Sequence, residues 1–353
     1  MSGPTEAKLK STDEPLHRRY DVALFDLDGV VYLLDTPVPG VPAALETVTD
    51  AGCEAVFVTN NASRAPEEVA GALTRMGITC PVNRVVTSAQ AAAAGIAAHC
   101  GSGASTFVVG SNALRTAVQA AGLTLVDDPR AAEAVAMGYV PTTNWRDLAD
   151  ITLAARHGAW WMVANLDATL PTPDGPMPGM GALAQAVATA LGRSPDAAAG
   201  KPEPVIYRTA LERVGGERPI MVGDRPDSDI RGANALGLDT LLVFSGVAGP
   251  LDAVTLPPDD RPDYLGWTAE DLIQPQPTVT VSEPGAAGCG SWRVHTESGR
   301  FVLRGQGDVL SAWRAVCAAA WSAADAGVTR LDPRSPPEIL ADGEAAQTVL
   351  KTA

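Results

Sequence analysis

The sequence has little that could staple, anchor or metallate it. Only five cysteines occur in 353 residues, Cys53, Cys80, Cys100, Cys289 and Cys317. The count is odd and no two have redox or zinc spacing, which fits free thiols in a reducing cytoplasm. The four histidines, His17, His99, His157 and His295, lie too far apart for an HExxH or His-Cys metal site. Residues 1–20 hold no apolar signal core, and no apolar run approaches the ~18 residues of a membrane span. Without a secretion signal, the glycosylation triplet Asn61-Ala62-Ser63 is idle. Positive charge is scarce as well. Twenty-six Lys and Arg face 41 Asp and Glu, a net charge of −15, which argues against nucleic-acid or anionic-membrane partners. A small anionic substrate stays admissible if a metal, a helix N-terminus or a Lys offsets that field locally.

What is present is an ordinary globular composition, 46% hydrophobic and 19% charged, at a length that suggests two or three domains. From Asp21 short apolar runs alternate with amphipathic stretches. Segments 21–25, 54–59 and 84–88 read as strands, and 39–52, 66–77 and an Ala-rich stretch after 88 as helices. This alternation implies a parallel sheet covered by helices on both faces. A second α/β run follows, with strands at 106–110, 134–140 and 159–165 and helices at 112–122 and 144–158, ending in a Pro/Gly-rich loop at 171–181. After Lys201 the first pattern resumes: helix 204–215, strand 219–224, helix 228–237, strand 239–246. The first domain is thus interrupted by an insertion. QPQPT at 274–278 reads as a Pro-rich linker. Beyond it come strands with one face formed by Trp292, Val294, Phe301 and Leu303, a hairpin turn at Ser298-Gly299, and a helix at roughly 308–326.

Four segments hold the chemistry, three of them at the ends of expected strands, where ligands bind in an open parallel sheet. Asp26-Leu27-Asp28-Gly29 places two carboxylates two residues apart. One can attack phosphorus, and the other can serve the leaving group and then the water as acid and base. Gly29 allows close backbone approach and an N–H to a phosphate, although Asp-Gly is also a common turn. Thr59-Asn60-Asn61 offers a hydroxyl and N–H groups near a helix start, suited to an anion and equally to capping. Gly200-Lys201-Pro202 supplies a Lys that can neutralise phosphate; its context is not a Walker loop. Gly223-Asp224, with Asp227 and Asp229, offers the few hard oxygens Mg²⁺ prefers, and also an acidic helix start. Gly179–Ala184 fits GxGxxA, but a Pro-rich loop precedes it and the acid that follows, Asp196, sits in another loop, so a dinucleotide site is disfavoured. Trp160 and Trp161 read as core.

In this order the four segments closely resemble the motifs of the haloacid dehalogenase-like superfamily. The insertion and the loop NLDATLPTPDGPMPGMG are similar to the large cap of its NagD-like branch, which includes nitrophenylphosphatase-like, phosphoglycolate and glycerol-phosphate phosphatases. The likeness covers about 20–270. It implies an α/β, doubly wound parallel-sheet (Rossmann-like) core at 20–88 and 193–272 and an inserted α/β cap at 89–192. A small C-terminal α+β module at 278–353 lies outside it.

The resemblance also implies roles. Asp26 would be the nucleophile and a ligand of Mg²⁺. Asp28 would be the general acid/base, with its carbonyl on the metal. Gly29, Thr59, Asn60 and Lys201 would bind phosphate, Lys201 also orienting the nucleophile. Asp224 would bind the metal, Asp229 would support its water shell, and Asp227 would stay off it. Asn165, Asp167 and Thr169 of the cap loop would select the substrate. The expected activity is Mg²⁺-dependent hydrolysis of a small phosphometabolite, glycerol 3-phosphate or 2-phosphoglycolate, in the cytoplasm. Nucleic-acid and membrane partners are not expected, and a homo-oligomer stays open. Two alternatives are a phosphotransferase or mutase acting on a sugar phosphate, and a binding or assembly role for the C-terminal module. Asp28 excludes the dehalogenases, which lack that acid, and the lack of Lys between Lys10 and Lys201 excludes an imine-forming cap.

Overall fold

The computed structural model describes residues 8–172 and 174–353, so residues 1–7 and Pro173 of the 171–181 segment lie outside the description. The chain forms two compact units, one comprising the stretch up to Ala55 together with Gly216–Ala353, the other Val56–Gly215.

In the first unit, four parallel strands lie in the order Tyr264–Gly266, Asp239–Val243, Pro219–Gly223, Val22–Phe25. Val22–Phe25 is buried at every position, the continuous apolar run of a strand covered on both faces. Phe25 pairs with Val222, and the Asp26 amide donates to the Val222 carbonyl at 3.0 Å. Register therefore delivers the residues that follow both strands to one sheet edge.

The same unit includes the C-terminal module. Its sheet runs Val279–Glu283, Ala286–Cys289, Trp292–Glu297, Arg300–Arg304, Ile339–Asp342, antiparallel except for the last pair. Trp292, Val294, Phe301 and Leu303 are all buried on one cluster with the helix Val309–Asp325. That helix is apolar around most of its circumference because it is enclosed. The strand Ala286–Cys289 escapes sequence reading because Ala-Ala-Gly-Cys lacks β-branched and aromatic residues.

The expected linker at 274–278 is instead locked in place. Gln276 is buried and exchanges backbone hydrogen bonds with Thr12 at 2.8 and 3.2 Å. Its side-chain oxygen accepts from Arg314 at 2.6 Å. Proline richness limited the local conformations, and long-range partners then chose one of them.

In the second unit, the end of Glu54–Thr59 pairs in parallel with Val85–Thr87. A separate five-stranded parallel sheet runs Ala197–Ala198, Trp160–Val163, Ala134–Met137, Ser105–Val109, Thr124–Val126. Trp161 lies in its core, as expected, while Trp160 is half-buried and stacks on His99.

The 171–181 segment departs from expectation. Thr169–Thr172 and Gly175–Pro178 form an antiparallel hairpin leading into the helix Met180–Leu191. A two-stranded ribbon consists of edges only, so its prolines remove few ladder bonds. The glycines of GxGxxA are explained by packing: a Cβ on Gly179 would run into the Asp167 carbonyl, and one on Gly181 into the Leu166 carbonyl.

All five cysteines are unpaired, and only Cys100 is more than slightly exposed. Burial pushes the Cys53 and Cys80 thiols up to about 12 and raises those of Cys289 and Cys317. Cys100 is raised as well, by burial and by Glu133. An aromatic disulfide reagent at mild alkaline pH is therefore expected to titrate a single thiol, Cys100, before unfolding and all five afterwards. Rapid release from two or more in the folded protein would contradict this burial pattern.

Candidate active site

The first unit gathers three carboxylates. Asp26 follows Val22–Phe25, Asp224 follows Pro219–Gly223, and Asp229 sits in the helical turn Pro226–Ile230. One carboxylate oxygen from each lies within 4.8 Å of the others, and Asp224 and Asp229 are buried. Backbone amides orient two of them. Val247 donates to Asp224 Oδ2 at 2.7 Å, and Arg225 donates to Asp229 Oδ2 at 3.0 Å. Three acids this close repel one another unless a cation sits among them. A small set of hard oxygen donors fits Mg²⁺. Asp227 is exposed, pairs with Arg225 at 3.3 Å, and is not in the cluster.

Asp28 is exposed and forms a bridge to Tyr32. Gly29 differs from expectation. Its N–H donates to the Tyr32 carbonyl at 2.8 Å, so the turn uses the amide that was expected to hold phosphate. Its carbonyl accepts from Ser245 Oγ at 2.6 Å. Glycine is required here for two other reasons: φ is +89°, and a Cβ would strike the Asp224 carboxylate. Gly29→Ala is expected to weaken Mg²⁺ binding about tenfold or more by displacing Asp224. Titration calorimetry checks this, and an unchanged affinity would refute it.

The second unit holds the other expected residues. Thr59 is buried at its strand end, and its hydroxyl accepts from the Asn61 amide at 3.1 Å. Lys201 is 4% exposed, and its ammonium donates to the Val58 carbonyl at 3.4 Å. The Asn60 side chain has a function that the motif did not reveal. Its oxygen accepts from the Lys201 amide at 2.7 Å, and its nitrogen donates to the Lys201 carbonyl at 3.0 Å. The amide thus grips the backbone of Lys201 from both sides. Gly200 is needed beside it, because a Cβ there would lie 2.6 Å from Asn60 Oδ1.

Of the three cap-loop residues, two sit against Asn60. Asn165 is buried, donates to the Asn60 carbonyl at 2.7 Å and accepts from the Asp167 amide at 3.1 Å. This side chain braces Asn60, a departure from the substrate contact expected of it. The Asp167 carboxylate accepts from Asn60 Nδ2 at 3.2–3.3 Å. Thr169 is exposed and starts the hairpin, paired with Pro178. Ser88 Oγ, not singled out from sequence, also donates to the Asn60 carbonyl, at 2.6 Å. A Ser one residue past a strand end is too common a helix-start signal to have pointed there.

Residues 23–124 match the family described as haloacid dehalogenase-like hydrolase, and residues 198–272 match one described as HAD-hydrolase-like. Residues 289–352 match a GCN5-related N-acetyltransferase like domain. The chain is 40% identical over 320 residues to the D-glycerol 3-phosphate phosphatase of Mycobacterium tuberculosis, covering 87% of each. It is 37% identical to an acid sugar phosphatase of Staphylococcus haemolyticus, covering 65% of this chain and 87% of that one. A crystal structure of a glycerol phosphate phosphatase from M. tuberculosis in complex with magnesium matches with a TM-score of 0.85 at 37% identity, over 97% of this chain and 98% of that one. A p-nitrophenyl phosphatase from Archaeoglobus fulgidus matches with a TM-score of 0.68 at 28% identity, over 72% of this chain and 98% of that one. The chain belongs to the haloacid dehalogenase-like hydrolases. Within them it is a phosphatase, acting on a small phosphorylated substrate. Among the described residues no helix is long and apolar enough to cross a membrane.

Proposed function

We propose that the protein hydrolyses glycerol 3-phosphate in a Mg²⁺-dependent reaction that passes through a phosphorylated Asp26. The observation that carries this is the 40% identity, over 87% of both chains, to a phosphatase of that name. The Asp26, Asp224 and Asp229 trio supports the metal requirement. When bound, Mg²⁺ would offset negative charge on the nucleophile and the transferring phosphoryl group.

Each residue then has a chemical task. The Asp26 carboxylate attacks phosphorus and forms an acyl phosphate as the alkoxide leaves. Asp28, on the exposed turn, gives that oxygen a proton and later takes one from the attacking water; its carbonyl is a further metal ligand in this reading. Thr59 Oγ and the Asn60 backbone N–H hold phosphate oxygens, and Lys201 neutralises them. Asp224 anchors the metal and Asp229 steadies it. Residues 89–192 would be the inserted α/β cap, 20–88 and 193–272 the catalytic core, and 278–353 a small C-terminal α+β module. Asp167 and Thr169 would read the substrate's carbon skeleton. The five unpaired cysteines support a cytoplasmic location.

The test is phosphate release from a panel of small phosphate monoesters, with Mg²⁺ and with EDTA. The expected result is Mg²⁺-dependent release, with the largest kcat/KM for glycerol 3-phosphate. A larger kcat/KM for 2-phosphoglycolate or a sugar phosphate would overturn the substrate. Transfer of the phosphoryl group to a sugar instead of water would overturn the reaction.

A further inference from the structure

Asp224 is held by a loop, and the loop is held by the C-terminal module. The Val247 amide donates to Asp224 Oδ2 at 2.7 Å, and the Ala248 amide donates to the Asp224 carbonyl at 3.2 Å. A Cβ on Gly246 would collide with the same carboxylate, so the loop lies tight against it. Two residues after Ala248 the chain enters the short helix Pro250–Val254, whose Ala253 and Val254 are fully buried.

Two side-chain arrangements tie this helix and the residues just after it to Val309–Asp325 of the module. Trp321 Nε1 donates to the Ala253 carbonyl at 3.0 Å. Arg261 Nε donates to the Leu256 carbonyl at 3.1 Å, while its Nη1 pairs with Asp325 at 2.8 Å. The Arg261 guanidinium also lies over the Trp321 ring, 5.4 Å from its centroid. Trp321, Ala253, Val254 and Leu256 belong to one buried cluster.

We propose that the C-terminal module is a buttress for the metal-binding loop, with Trp321 as a positioning residue that fixes Val247 against Asp224 through the helix Pro250–Val254. This rests on the reading of Asp224 as a metal ligand. The physical basis is continuity: five residues beyond Ala248, at Ala253, the backbone accepts a hydrogen bond from a fully packed helix, so a shift of that helix moves the amides that aim the carboxylate. Partners that orient a ligand raise metal affinity without touching the metal.

Trp313, on the same helix, supplies a matched control. Its indole N–H donates to Thr352 Oγ1 at 3.0 Å, away from Pro250–Val254. In the full-length protein, Trp321→Phe is expected to weaken Mg²⁺ binding about fivefold by titration calorimetry. It is also expected to speed hydrogen exchange at the Val247 amide. Trp313→Phe should alter neither. Equal Mg²⁺ affinity and equal Val247 exchange in the two folded variants would overturn the buttress. Asp224→Asn separates the two claims. If it weakens Mg²⁺ binding while Trp321→Phe does not, only the buttress fails; if Asp224→Asn has no effect, the metal-ligand reading fails first and the buttress with it.

Discussion

Asp26→Asn is expected to lower kcat for phosphate release at least about 10³-fold and to leave the fold intact. An amide has the shape of the carboxylate but not its nucleophilic oxygen. Phosphate monoester hydrolysis is among the slowest uncatalysed reactions, so losing the covalent route exposes a barrier the remaining residues cannot lower alone. The local structure should tolerate the change, because the Asp26 backbone N–H, not the side chain, makes the 3.0 Å bond to Val222. Asn also removes one of three crowded carboxylates, which relieves repulsion and weakens metal binding together. Activity should therefore be measured at saturating Mg²⁺. Recovery of more than about a tenth of kcat under those conditions would reduce Asp26 to a metal ligand and remove it as nucleophile.

The second large effect concerns stability. Arg314→Ala is expected to cost about 3 kcal/mol of folding free energy. Arg314 is fully buried in Val309–Asp325. Its guanidinium donates to Gln276 Oε1 at 2.6 Å, to the Lys10 carbonyl at 2.7 Å and to the Pro277 carbonyl at 3.1 Å. It joins three stretches of chain, the N-terminal segment, the 274–278 segment and the C-terminal helix. Burial lowers its pKa, yet a guanidinium stays charged at neutral pH. Truncation leaves these acceptors in a dry interior and opens a cavity. Arg314→Met fills much of the space and still strands the acceptors, so it should recover only part of the loss. Denaturant unfolding with unchanged m-value reads the effect. A loss below about 1 kcal/mol for Arg314→Ala would mean that the three segments are fastened elsewhere.

The places of Asp26 and Asp224 were legible because they follow from short-range rules. Runs such as Val22–Phe25 and Pro219–Gly223 are apolar at consecutive positions, which marks a buried parallel strand, and a polar residue just past such a run sits at the sheet edge. Asp26 and Asp224 meet that description, and the family likeness supplied their order. Side-chain partnerships were not legible. Asn60 reads as a turn residue; only the fold shows it clasping the backbone of Lys201, 141 positions later. At Gly29 the requirement for glycine comes from φ and from the Asp224 carboxylate, and its amide serves Tyr32 in place of the phosphate expected from sequence. The Gln276 region failed for a similar cause. Its composition describes a flexible linker, while its bonds reach Thr12 and Arg314, residues 264 and 38 positions away. Asp229 was expected to stand back from the metal; its oxygen lies in the same 4.8 Å group as those of Asp26 and Asp224.

The proposed reaction turns on a covalent phosphate on Asp26. It is tested most directly by mixing the Mg²⁺-loaded protein with phosphorus-labelled glycerol 3-phosphate, quenching in acid within the first turnover, and mapping the label by peptide mass spectrometry. An acid-stable, base-labile label is expected on the peptide containing Asp26 and is expected to be absent from Asp26→Asn. Rapid phosphate release with no labelled Asp26 peptide at any quench time would contradict it and require direct attack by water.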